Sequence, residues 1–432
     1  MFNLKHTKRT NYTKQIKRTL LSAYLVAAGL VAQPVFANDD PLSILPPESL
    51  VRKSFSNIPQ LRAGNMGINL AGNQKSRLEA GHYEWTARVG LSRRTDLNGG
   101  RFREQEFALE RPVRWFGKAD KDRVIGDKGV ELAKASYADQ WHETSRALLK
   151  DWFEVLREGF TLKQLRQQLE ITEQLSAIAV KRVKAGDAAH FEQLFAETEL
   201  QRVRALLQQA EQRLELATQA LQANYPSLPL PSASSLPQPL SIDTQDPKAS
   251  EHWLDKILKD NHELELAQAE ADYMGLQAAR IDQDKMPDPT LGIRSSRERD
   301  GQERVVGFSI SMPFPGAARS SERSAALTKA QIANEKLQQV QTKVNLMARQ
   351  AITDSQRTFT TWKALDSLRQ QSMQQANLMQ TAYRLGEVSI TEALNTRKMA
   401  LDSAIAADTA QIDALSAYAR LHLDAHLIWA LD

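Results

Sequence analysis

The sequence predicts a mainly α-helical protein with a small β part. It is built from one unit given twice, a strand hairpin leading into a long helical hairpin. Three observations carry this. The second half repeats the first at an offset of 200 residues: Lys184-Ala185-Gly186-Asp187 aligns with Arg384-Leu385-Gly386-Glu387. At the same offset Glu192 meets Glu392, Leu194 meets Leu394, Ala210 meets Ala410, Ala217 meets Ala417 and Leu221 meets Leu421. Two short stretches alternate apolar and polar residues, the period of a strand. Between Pro112 and Pro226, and again after Pro315, the chain has no proline and is dominated by Ala, Gln, Leu, Glu, Lys and Arg, the strong helix formers.

The amino terminus has the pattern of an export leader. Lys5, Lys8, Arg9, Lys14, Lys17 and Arg18 precede an apolar run over 20–31, and Val35-Phe36-Ala37 offers a signal-peptidase site. Residues 1–37 are therefore expected to be a signal peptide, the run being too short to span a bilayer. Without those six bases the formal charge of +4 becomes −2, so no basic footprint for nucleic acid remains. The chain has no cysteine, which excludes disulfides and thiolate metal sites. After the leader no apolar run approaches the roughly 20 residues of a transmembrane helix. Membrane insertion would require a closed β-barrel.

Residues 38–72 are expected to be an extended N-terminal segment, polar and proline-rich at its start (Pro41, Pro46, Pro47, Pro59). The first repeat covers 73–224, with helix near 73–80 and strands at about 83–113. In Trp85-Thr86-Ala87-Arg88-Val89-Gly90-Leu91-Ser92 apolar and polar residues alternate, and Asp96, Asn98, Gly99 and Gly100 supply the turn. A long helix is expected at about 118–184, with Gly126 and Gly129 weakening its start. A return helix follows at about 188–223. Six prolines and several serines mark 225–247 as a linker.

The second repeat covers 248–432, with a helix at about 251–284 and strands at about 288–313. Val306, Phe308, Ile310 and Met312 alternate with Gly307, Ser309 and Ser311. The long helix is expected at about 318–384. Along it Leu337, Val340, Val344, Met347 and Ala351 step by 3 and 4, a helix-packing stripe of coiled-coil type. Each long helix would reach roughly 100 Å, far beyond an ordinary globular helix. The return helix is expected at about 389–428, with the capping-box spacing Ser389-Ile390-Thr391-Glu392 at its start.

Pro287-Asp288-Pro289-Thr290-Leu291-Gly292 with Val306-Gly307-Phe308-Ser309-Ile310-Ser311-Met312-Pro313 resembles the second strand pair of the outer-membrane efflux protein family typified by TolC. Tyr383-Arg384-Leu385-Gly386-Glu387-Val388-Ser389 resembles that family's helix-turn tip. The resemblance covers about residues 60–430 and is nearest to the outer-membrane subunit of cobalt–zinc–cadmium-type heavy-metal efflux systems. It implies a homotrimer whose subunits each give four strands to one 12-stranded outer-membrane β-barrel, continued by a periplasmic α-barrel. It also implies a periplasmic adaptor (membrane fusion) protein and an inner-membrane resistance-nodulation-division-type transporter as partners. The duct itself would be passive. Four strands are too few to close a barrel alone, so the chain must either oligomerise or pack its strands elsewhere. The alternative is a periplasmic coiled-coil adaptor or scaffold, which would show one helical hairpin between β-rich halves.

On this resemblance the adaptor-docking tips are Lys184, Ala185, Gly186 and Asp187 in the first repeat. In the second they are Arg384, Leu385, Gly386, Glu387, Val388 and Ser389. The plainer reading is a helix-hairpin turn in which glycine supplies a positive φ. His422 and His426 are four apart, a spacing that suits either a metal pair on one helix face or a helix end favouring cations. No third ligand accompanies them, and no metal site is assigned. Asp187, Asp354 and Glu387 are acids expected near the turns, where they could constrict a tunnel or simply be solvated. No phosphate loop, cysteine nucleophile or catalytic histidine set is present, so no catalytic residue and no cofactor is expected.

Overall fold

The computed structural model describes residues 40–95, 97–232, 234–242 and 247–431; the expected leader, 1–37, lies outside them. The elements in chain order are α1 (Glu48–Phe55), α2 (Pro59–Ala80), β1 (Thr86–Thr95), β2 (Arg101–Pro112), α3 (Lys118–Ala185) and α4 (His190–Asn224). The second repeat supplies α5 (Pro247–Lys259), α6 (His262–Asp282), β3 (Thr290–Glu298), β4 (Glu303–Ser311), α7 (Ala317–Leu385) and α8 (Ile390–Asp424). The protein is thus mostly helical with one small antiparallel sheet. The 68 residues of α3 and 69 of α7 each extend about 100 Å.

The four strands form one sheet in the order β1-β2-β3-β4. The two hairpins meet through β2 and β3, with Leu109 opposite Ile293 and Phe107 opposite Ser295. The repeats are therefore fused at the centre of the sheet. Among the described residues β1 and β4 are left as edges, each with a row of backbone groups unpaired in the sheet, a template for further pairing.

The segment 38–72 is not extended. Residues 41–44 form a short 3-10 turn, and α1 and most of α2 follow. Tertiary contact explains the difference. Val51 and Phe55 are completely buried, and Phe55 packs edge-on against Trp141 with ring centroids 4.9 Å apart. The Trp152 indole N–H donates to the Ile44 carbonyl at 3.0 Å, and that of Trp141 donates to the Trp429 carbonyl at 2.9 Å. The N-terminal helix, the carboxyl end and the middle of α3 thus share one core, joined by Tyr225 and Leu228 of the linker.

Two further boundaries differ from expectation, while α3 starts as expected at Lys118, undelayed by Gly126 and Gly129. A Cβ on Gly126 would lie 3.1 Å from the Lys75 Cα atom, so this glycine lets α2 approach closely. The expected helix 251–284 breaks at Asp260-Asn261, because the Asn261 side chain accepts from the Leu264 N–H at 2.9 Å and starts α6 afresh. The last helix ends at Asp424, and His426 and Trp429 take positive φ beyond it.

An ionic clamp joins sheet to helices. Lys118, at the first turn of α3, is buried, and its Nζ lies 2.7 Å from Asp284 and 3.0 Å from Asp288. Asp288 also accepts from the Tyr83 hydroxyl at 2.8 Å and the Trp115 N–H at 2.9 Å. Arg280 bridges Asp122 at 2.6 Å and Asp284 at 2.8 Å. Removing a buried cation strands its carboxylates. Lys118→Met is expected to cost about 3 kcal/mol, read as a lowered denaturant midpoint of the purified protein, whereas Lys121→Met should change it little.

Candidate docking tips and strand rim

Both helical hairpins close through the same backbone device. At the first tip the Gly186 N–H donates to Val183 at 3.1 Å and the Asp187 N–H to Arg182 at 2.9 Å; at the second, Gly386 donates to Tyr383 at 3.0 Å and Glu387 to Ala382 at 3.0 Å. This is the Schellman pattern. It requires the left-handed conformation that Gly186 (φ +82°) and Gly386 (φ +81°) adopt. Lys184, Ala185, Gly186 and Asp187, and Arg384, Leu385, Gly386 and Glu387, are exposed, while Val388 and Ser389 are half-buried.

The tips differ in their next turn. Ser389 and Glu392 form a complete capping box, with the Ser389 N–H donating to Glu392 at 3.0 Å and the Glu392 N–H to the Ser389 Oγ at 3.3 Å. Ala189 occupies the first tip's cap position and has no side-chain acceptor to offer. Tyr383 and Ile390 of the second tip are fully buried against Leu175, Ala179 and Ala196 of the first hairpin. The Arg182 guanidinium lies 5.2 Å over the Tyr383 ring. The exposed apolar residues also differ: Phe191 and Leu194 follow the first tip, whereas Leu385 lies within the second. The 200-residue alignment carried no sign of this pairing of unlike tips, because their contact is lateral. Asp187 and Glu387 are at the turns, but Asp354 is 31 residues before the end of α7, about 45 Å away. It lines a surface hollow with Met347, Asp413 and Arg420.

His422 and His426 do not form a pair. His422 packs on Tyr418 and Trp253, ring centroids 4.2 and 5.1 Å away, and burial holds its pKa below the ordinary imidazole value. His426, past the helix end, faces His262 and His142 at 4.6 and 5.2 Å. Among the described residues no three His, Cys, Asp or Glu side chains are arranged to hold a metal ion. Asp424 anchors this region by accepting from Arg146 at 2.9 Å and contacting His142 at 3.3 Å.

The sheet has two chemically opposite faces. One carries Val89, Leu91, Phe107, Ile293, Val306, Phe308, Ile310 and Met312, all exposed. The register aligns them into cross-strand rows such as Ala87-Leu109-Ile293-Phe308. Val306, Phe308 and Ile310 of β4, with Met312 just past its end, span about 20 Å. The other face is ionic. Arg88 meets Glu110 at 3.5 Å, and Arg94 meets Glu104 at 3.5 Å and Glu298 at 3.9 Å. Exposed apolar surface of this extent marks a missing partner or a lipid environment. Among the described residues no helix is long and apolar enough to cross a membrane.

This arrangement recurs in solved structures. The Campylobacter jejuni outer membrane channel CmeC superimposes with a TM-score of 0.73 at 12% identity, covering 97% of this chain and 95% of that one. The outer membrane protein VceC from Vibrio cholerae gives 0.72 at 15% identity, covering 90% and 98%. The chain shares their fold. The open state of the Neisseria gonorrhoeae MtrE outer membrane channel matches at 0.62 and 14% identity, covering 89% of this chain and 90% of that one. No family model and no curated protein matches the chain.

The charge on Asp424 generates a pH prediction. Burial pushes its pKa up, but His142, Arg146 and Arg420 outweigh burial and hold it at about 2, below the ordinary 3.8. A depressed carboxylate stabilises the fold above its unfolded pKa and loses that contribution as pH falls through the folded value. A shift of this size corresponds to about 2 kcal/mol. Wild type is expected to exceed Asp424→Asn in unfolding midpoint at neutral pH. The gap should close as pH falls from about 4 to about 2, measured by denaturant titrations across that window.

Proposed function

We propose that this chain is a subunit of an outer-membrane exit duct in a tripartite efflux pump. The observation that carries the reading is the four-stranded sheet: a lipid-compatible outward face, an ionic opposite face and two unpaired edges, mounted on helical hairpins about 100 Å long. Pairing β4 of one subunit with β1 of the next, three times round, would satisfy every edge and give a 12-stranded barrel with the apolar face toward outer-membrane lipid. The α3–α4 and α7–α8 hairpins of three subunits would continue it as an α-barrel through the periplasm of a Gram-negative cell. The likeness of fold to outer-membrane channels supports this reading.

In this reading the duct is a passive conduit and not an enzyme. The tips Lys184, Ala185, Gly186 and Asp187, with Arg384, Leu385, Gly386, Glu387, Val388 and Ser389, dock the periplasmic adaptor. An inner-membrane resistance-nodulation-division-type transporter supplies the energy from protons. The exported solutes are heavy-metal cations or other small toxic solutes; the metal assignment rests on the resemblance of the tip and strand motifs.

Purified full-length protein added to a planar lipid bilayer is expected to produce stepwise ion conductance and to cross-link as a trimer. Recovery only as a soluble monomer without conductance would overturn the duct. The substrate class is separable, because a deletion strain that keeps normal tolerance to zinc, cobalt, cadmium and copper removes the metal assignment and leaves the duct standing.

A further inference from the structure

The outward face of the sheet changes character along the strands. Toward the helices it is apolar. Toward the hairpin turns the same face carries Arg93 on β1, Arg103 on β2, Arg297 on β3 and Arg304 on β4, all exposed. The register sets Arg93 directly opposite Arg103, and Arg297 directly opposite Arg304. Like charges facing each other across a strand pair destabilise it, so two such pairs on one face call for a compensating anion.

Among the described residues, the strands do not supply that anion from the same face. Read by register, all the carboxylates within the four strands, Glu104, Glu106, Glu110, Glu298 and Glu303, are on the opposite face. There the like-charged cross-strand pair, Glu298 opposite Glu303, has cations at hand, with Arg94 3.9 Å from Glu298 and Arg299 3.3 Å from Glu303. In the adjacent turn the Asp300 carboxylate is engaged by the backbone N–H of Arg103 at 2.8 Å. A rim bathed only in water has no reason to sort its charges by face; mixed signs are the ordinary state of a solvated surface. Guanidinium groups also pair phosphate oxygens bidentately.

Resting on the outer-membrane reading above, we infer that Arg93, Arg103, Arg297 and Arg304 form a belt that binds the phosphate-bearing headgroups of anionic lipid at the turn end of the apolar band. In a trimer the belt would encircle the barrel. Each guanidinium would bridge headgroup phosphates, and the lipid chains would lie along Val89, Phe107, Ile293 and Phe308. The chemistry selects a phosphorylated lipid over a zwitterionic one.

The test uses the full chain purified in detergent, with bound lipid counted by native mass spectrometry after exchange with defined lipids. The probes are a phosphorylated glycolipid, its dephosphorylated form, phosphatidylcholine and inorganic phosphate. Wild type is expected to retain the phosphorylated glycolipid over its dephosphorylated form by roughly tenfold or more. The combined variant Arg93→Gln, Arg103→Gln, Arg297→Gln and Arg304→Gln should lose that preference, and Arg88→Gln, on the opposite face, should keep it. If the combined variant fails to fold, Arg297→Gln with Arg304→Gln should still reduce it. Conductance in pure phosphatidylcholine separates the two readings. A wild type that conducts there but shows no preference overturns the belt alone, as does a conducting variant that keeps the preference. Displacement of the lipid by inorganic phosphate at matching concentration would mark a simple anion site and overturn the lipid assignment. A wild type that never conducts fails the duct reading instead.

Discussion

The burial of one ammonium group at the foot of α3 sets the geometry of this protein. Lys118 holds Asp284 and Asp288, and those residues belong to the second repeat. Asp284 is drawn below the ordinary carboxylate pKa by Lys118 and Arg280 despite the burial that opposes it. The clamp therefore ties the start of the first long helix to the approach of β3. Since β2 ends a few residues before Lys118, the same contact holds β2 and β3 at the distance their ladder needs. It acts together with the β2–β3 ladder, the shared core of α3 and α8, and the packing of the two tips, which also join the repeats.

The sheet that this clamp mounts is unfinished by itself. Among the described residues its apolar face has no protein partner and its two edges have no neighbouring strand, and the carboxylates within its strands are gathered on the opposite face. In the proposed barrel, closure with other copies of the same sheet would satisfy the edge backbone groups, as any segment out of water requires, and lipid would cover the apolar face. The proposed barrel and the proposed lipid belt draw on different parts of one face, the first on its apolar rows and the second on its arginines.

The two tips show how a duplicated unit diverges under packing. Their turn geometry is the same because a helix end followed by glycine has one economical way to satisfy its last carbonyls. Their surroundings differ because the second tip buries Tyr383 and Ile390 against the first hairpin, while the first tip leaves Phe191 and Leu194 exposed. Any partner reaching the tips meets two surfaces of matching outline and unlike chemistry.

Local signals in the sequence determined the fold class. Alternation at Val306, Phe308 and Ile310 can only serve a two-faced strand, and long proline-free runs of helix formers leave little alternative to helix. The left-handed glycines at 186 and 386 were legible for the same reason, since turn chemistry depends on a few adjacent residues. The tertiary structure alone decided what rests on distant contacts. Val51 and Phe55 make the N-terminal segment helical because Trp141 and Trp152 cover them, and no periodicity within 38–72 records those partners. His426 leaves His422 for His142 and His262 because the chain turns at Asp424. The pairing of Arg93 with Arg103 and of Arg297 with Arg304 appears only once register is set, because cross-strand neighbours are remote along the chain and adjacent only across the ladder.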